Sequence, residues 1–163
     1  MTVPPIGFGY KASTLGLNSG DTVAQWNSAT QIYQSHIVGV PVNDFVIAPS
    51  TGYWINVPSG TRSLTLYGEI PDEMQYRNIT VPAGGGWAII GFNSLNETWH
   101  AKDIATMWSV AGGIKTVSSW DPVARAYTSW LSIIPSVNNF ALVPGQAYWI
   151  LCRASGMLAY EPQ

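Results

Sequence analysis

The chain has 163 residues, a net charge of −2 and a pI near 5.5, with 47% hydrophobic but only 10% charged residues. That hydrophobic content supports a buried core and argues against a disordered chain, while seven scattered Lys and Arg make no basic stripe and argue against nucleic acid as a partner. No run approaches the ~18 apolar residues of a spanning helix, so membrane insertion is not expected.

Taken in order, Ile6-Gly7-Phe8 opens the chain and a weak helical pattern follows at Ser13–Leu17. Val23–Asn27 and Ile32–Ser35 read as two strands of a hairpin, and Tyr53–Val57 as a third strand. Further on, the run Met74–Val81 reads as a strand, and Gly86–Phe92 is a short apolar run bounded by glycine, the pattern of a buried strand. Between Lys102 and Ala111, Ile104, Met107, Trp108 and Ala111 fall at helical spacing, and Gly112-Gly113 ends that helix. Val117–Trp120 and Arg125–Leu131 flank Asp121-Pro122-Val123-Ala124 as a second hairpin. Ala147–Arg153 and Met157–Tyr160 complete the strands.

This order is written twice. Val42–Ile55 reappears as Val137–Ile150, with seven of fourteen positions identical. The match extends upstream, where Trp26 and Tyr33 answer to Trp120 and Tyr127, and Pro41 to Pro135. The expected fold is therefore mainly β, with two pseudo-repeated modules at 1–71 and 72–163. Each is a β-α-β-β-β-β unit, a small sheet or partly open barrel with one short helix. Units of about 75–90 residues lie near the lower limit of independent stability, so the copies are expected to pack on each other.

Strand alternation divides the side chains. Tyr53, Ile55 and Val57 share one face in copy one, as Tyr148, Ile150 and Cys152 do in copy two, and these should meet the core. The opposite face carries Trp54 and Asn56 in one copy, and Trp149, Leu151 and Arg153 in the other. Trp54, Trp149, Asn56 and Arg153 are the candidate ligand-binding residues, with Trp130 as a further one; His36 takes its place in copy one. Exposed aromatics on a sheet stack on sugar rings or anchor protein interfaces. The alternative is that these rings cover a helix or the partner copy. Trp26 and Trp120, in the hairpins, are expected in the core.

Catalytic patterns are thin. His36 and His100 belong to no spaced ligand set, Gly84-Gly85-Gly86 precedes a strand and not a helix, and an acid–base pair of Asp103 with Asp121 or Glu97 has no support in the spacing. Cys152 stands alone in a strand-like run and reads as a core residue; Asp72-Glu73 is only a fragment of a calcium loop. No enzyme activity, cofactor or metal is expected. Asn78-Ile79-Thr80 and Asn96-Glu97-Thr98 are glycosylation sequons.

The repeated blocks resemble a module of secreted and S-layer-like proteins of archaea and bacteria, with a Gly-Trp-Asn opening, a Trp-containing hairpin, Gly-Tyr-Trp-Ile and a closing Leu-Thr-Leu strand. Gly86–Gly91, Val117–Trp120, Tyr127, Val143-Pro144-Gly145 and Ala147–Ile150 carry the likeness in copy two, with Ala88 where Asn is usual. Copy one supplies Asn43-Asp44-Phe45, Gly52–Ile55 and Ser63–Leu66, with its opening reduced to Pro5–Phe8. The resemblance implies a surface-exposed, non-catalytic setting. The expected function is recognition, with a polysaccharide or glycan surface as partner. The alternative is a self-assembling subunit of an S-layer, filament or virion surface, pairing with itself or other surface proteins through an open sheet edge in copy one. The expected location is extracellular or cell-surface for a module of a larger protein, or the virion if Met1 is the native start.

Overall fold

The computed structural model describes residues 6–7, 9–69, 74–93 and 98–160. In chain order the first copy contributes β1 (Ile6–Gly7), a 3-10 turn at Ala12–Thr14, β2 (Thr22–Asn27), β3 (Ile32–Ile37), β4 (Tyr53–Asn56) and β5 (Gly68–Glu69). The second contributes β6 (Gln75–Ile79), β7 (Gly86–Gly91), α1 (Ala101–Met107), β8 (Ile114–Asp121), β9 (Ala126–Leu131), β10 (Ala147–Cys152) and β11 (Gly156–Tyr160). These form antiparallel sheets of order β3-β2-β4, β7-β10-β8-β9, β11-β6 and β1-β5. The fold is mainly β, and among the described residues the sheets are open, with none closed into a barrel.

The repeat holds down to single hydrogen bonds. Each hairpin is turned by a carboxylate or amide oxygen that caps two backbone N–H groups: Asn27 Oδ1 accepts from Ala29 and Thr30, and Asp121 Oδ1 from Val123 and Ala124. Both turns end in a left-handed residue, Gln31 at φ 58° and Arg125 at φ 52°. Farther along, Phe45 stacks on Tyr53 at 6.1 Å and Phe140 on Tyr148 at 5.9 Å. The two tyrosine hydroxyls accept from the Ala48 and Val143 N–H groups, each at 2.7 Å. The helical segments dock alike, through Ala12 N to Phe45 O and Ala101 N to Phe140 O, both at 2.9 Å.

Alternation behaves as expected on the core side of copy two, but in copy one Ile55 and Val57, expected with Tyr53 in the core, are only half-buried. Val23 and Tyr53 are buried in copy one, and Val117, Tyr148, Ile150 and Cys152 in copy two. Copy two builds the larger core, adding Ile104 of α1, Ile90 and Phe92 of the β7 region, and Leu158 of β11. Among the described residues the core cluster of copy one is smaller, Ala12, Leu15, Val23, Phe45, Ile47 and Tyr53, with Leu64 and Leu66 packed against them. A core that small leans on its neighbour for stability.

Three expectations change. The helix near Ser13–Leu17 is only a three-residue 3-10 turn, because Gly16 takes φ 74° and stops it. Ser63–Leu66 is not a strand: β11 is held by β6, whereas residues 63–66 find no ladder partner among the described residues. The helix α1 ends at Met107, where Trp108 turns extended and bridges Leu158. Every ladder between named strands stays within residues 6–69 or 75–160, with part of the join near Gly68–Asp72 outside the described residues.

An aromatic cleft between the two copies

Cross-strand register brings Trp26 opposite Tyr33 and Trp120 opposite Tyr127, and both pairs close to a centroid distance of 4.8 Å. Both pairs lie on the sheet face turned away from the core. Each then receives the third-strand tryptophan of the other copy. Trp149 meets Trp26 edge to face at 5.4 Å, and Trp54 meets Trp120 the same way at 5.6 Å. The contact is reciprocal, residue for equivalent residue, as in an isologous dimer interface. The mixed face carrying Trp54 and Trp149 is thus where the copies join.

The join is also hydrogen-bonded. Trp26 Nε1 donates to Trp87 O at 2.8 Å. The Gln31 amide pairs with the Trp87 backbone, donating to its O at 2.9 Å and accepting from its N at 2.9 Å, as a neighbouring strand would. Arg77 donates to Ser50 O, which also accepts from Gly91 N at 2.9 Å, and Thr51 bridges Ile90.

Between the copies a cleft of about 400 Å³ remains open. Trp26 and Tyr33 of copy one and Trp87, Tyr127 and Trp149 of copy two supply its rings. Ser118 and Ser129, paired across β8 and β9 with their Oγ atoms 2.7 Å apart, supply hydroxyls. No charged side chain among the described residues lines it. Desolvation raises the Tyr33 phenol above its ordinary range, with the neighbouring Tyr127 adding to this and a hydrogen bond with Trp54 opposing it. A second hollow of about 310 Å³ lies against Trp54, Trp120 and Pro122, and Trp149 borders both.

The expected binding residues separate. Trp54 and Trp149 come together at the inter-copy contact, half-buried. Trp130 is corrected: it is buried on the core face opposite Val117, donating from Nε1 to Pro135 O at 3.0 Å, because β9 alternation sends Tyr127 and Ser129 to the cleft instead. His36, its counterpart, is likewise buried, with Nδ1 donating to Val42 O at 3.0 Å. Asn56 and Arg153 are exposed and line neither hollow. Trp26 and Trp120 are not in the core as expected; both are half-buried in the join. Alternation could have placed them there, since each shares its face with the third-strand tryptophan once the strand pairing is known.

Elsewhere, His100, Asp103 and Cys152 take part in the fold. His100 Nδ1 donates to Thr98 O at 2.8 Å, and its backbone N–H donates to Asp103 Oδ2 at 2.7 Å, closing the first turn of α1. Cys152 is buried, and loss of water pushes its thiol up to about 12. Among the described residues no group of His, Cys, Asp and Glu is placed to hold a metal, and no helix is long and apolar enough to cross a membrane. Asn78 lies exposed on β6, while Asn96 and Glu97 fall outside the described residues. Comparison of the chain with protein-family models, curated proteins and solved structures finds no match.

Proposed function

We propose that the chain is a non-catalytic recognition module of a secreted or cell-surface protein, and that it binds carbohydrate in the cleft between its two copies. The observation that carries this reading is the lining: aromatic rings from both copies together with the Ser118 and Ser129 hydroxyls, and no charged side chain among the described residues. Sugars offer apolar C–H faces to rings and hydroxyls to hydrogen-bonding groups, so such a lining matches them in both respects. The resemblance to modules of surface proteins supports the same setting. Calorimetry against cellulose, xylan, starch and chitin oligosaccharides tests the reading. Binding that Tyr127→Ala abolishes, with the fold retained by circular dichroism, is the expected result; Tyr127 is about half exposed, so the variant loses its ring contact with Trp120 but no buried core side chain. Absence of binding to every glycan rejects it.

A second reading, a self-assembling surface subunit, has one observation in its favour. Among the described residues β4 has β2 as its only ladder partner, whereas its counterpart β10 is paired on both sides. An edge without a ladder partner is a template for another chain, although Ser50 and Thr51, just before β4, already bond Gly91 and Ile90. A mass that stays monomeric across concentration in sedimentation removes this reading.

A further inference from the structure

The cleft is not duplicated, although the aromatic contacts around it are. Copy two places Ser118 beside Ser129; at the corresponding positions copy one places Ala24 beside Ser35. Copy two also adds Trp87 from β7, the strand that pairs with β10, and β4 has no such partner among the described residues. A hydrogen-bonded hydroxyl pair, Ser118 buried and Ser129 half-buried, and an extra indole thus mark one side only. Ser118 is 4% exposed, a costly place for a polar atom unless its hydrogen bonds are met.

Two hydroxyls joined by one hydrogen bond use one proton between them. The other proton, and the lone pairs left on both oxygens, remain for a ligand. We infer that the chain holds one saccharide site, not two, and that the Ser118–Ser129 pair selects an uncharged pyranose by hydrogen bonding a ring hydroxyl while the aromatic walls take its C–H faces. This rests on the carbohydrate reading above and narrows it to neutral sugars. The volume of about 400 Å³ suits a short oligosaccharide segment. A uronic acid would bring a carboxylate into a cleft with no cation among the described residues of its lining, and would lose hydration that no charge there replaces.

The test is calorimetric titration of the full chain with a neutral gluco-oligosaccharide, the same oligosaccharide oxidised to its uronate, and choline. The variant is Ser118→Ala/Ser129→Ala, which the sheet should accept because Ala24 already stands at the equivalent of Ser118. Expected are one site per chain, a preference for the neutral sugar of about tenfold or more, and a loss of about tenfold in the variant, the worth of a hydrogen bond near the top of its usual net range. Two sites per chain, equal affinity for the uronate, or an unchanged double variant overturns the inference but leaves carbohydrate recognition standing. Binding of choline without any sugar overturns both, since an aromatic cage also attracts quaternary ammonium.

Discussion

Gly52 and Ala147 hold equivalent positions in the two copies and meet each other at the join. A β-carbon built on Gly52 would sit 2.7 Å from the Ala147 Cβ and would overlap the Cγ2 of Ile89. The positions face one another across the reciprocal contact, and the space admits one methyl. That is why the repeated Gly/Ala-Tyr-Trp-Ile block differs at its first residue. Gly52→Ala should push the copies apart at a cost of about 1–3 kcal/mol, lowering the melting temperature by about 2–12 °C for a chain of this size. Adding Ala147→Gly should recover part of that loss but not all, since Ile89 remains. Calorimetric melting of the single and double variants checks this, and an unchanged melting temperature for Gly52→Ala would refute the close approach.

Gln31 gives the second expectation. Its side-chain amide continues a strand-like pairing onto the Trp87 backbone, and Trp87 O also accepts from the Trp26 indole. Gln31→Ala strips two hydrogen bonds from the join and keeps the strained φ of 58°. A net loss of about 1–3 kcal/mol follows from the usual worth of such bonds. Hydrogen exchange at the Trp87 amide should accelerate, while the Ile150 amide in the middle of β10 should not. Equal protection at Trp87 in both proteins would show that the pairing contributes nothing.

Much of this architecture was legible beforehand, and the reasons differ by residue. The repeat and strand alternation placed Tyr53, Tyr148, Ile150 and Cys152 on the core side, because a period of two leaves little freedom once one face is apolar. Trp130 was not legible: Thr128 and Trp130 share one face and Tyr127 and Ser129 the other, and nothing local says which set is inward. The cleft was legible only in part. Trp149 stood out by its alternation with polar residues, and so did Trp54, which borders the second hollow, but Tyr33, Trp87 and Ser118 become site residues only when the copies dock. Docking depends on long-range steric fit such as that at Gly52, which leaves no periodic trace.

Cys152 should be inert. Its thiol is buried in copy two's core and burial pushes its pKa up to about 12, so the thiolate that reacts is scarce at any ordinary pH. Folded protein at pH 8 should leave a disulfide-exchange reagent unconsumed, and denaturant should release one equivalent. Rapid labelling of the native chain would show that this core opens readily.

Acid should act through Asp21. Arg62 holds its carboxylate with Nε at 2.7 Å and Nη2 at 3.1 Å, tying the segment after β4 to the start of β2. The side-chain hydrogen bond to Arg62 is the largest cause of a folded pKa below the ordinary 3.8; burial opposes it, and the Asn18 amide assists. Because the folded value is the depressed one, the unfolded chain takes up the proton first as pH falls. The stabilisation is therefore fully present above the unfolded value of 3.8 and disappears below it, as pH drops through the folded value. Asp44, lowered chiefly by the Ser13 hydroxyl, adds in the same window. In Arg62→Ala the urea midpoint should be lower at pH 6 and fall less steeply between pH 4 and pH 2. Asp44→Asn should keep its cap, since Asn139 receives the Lys102 N–H at the equivalent place in copy two at 2.9 Å. Arg62→Ala and wild-type curves that run parallel through the acid range would sink the assignment to Asp21.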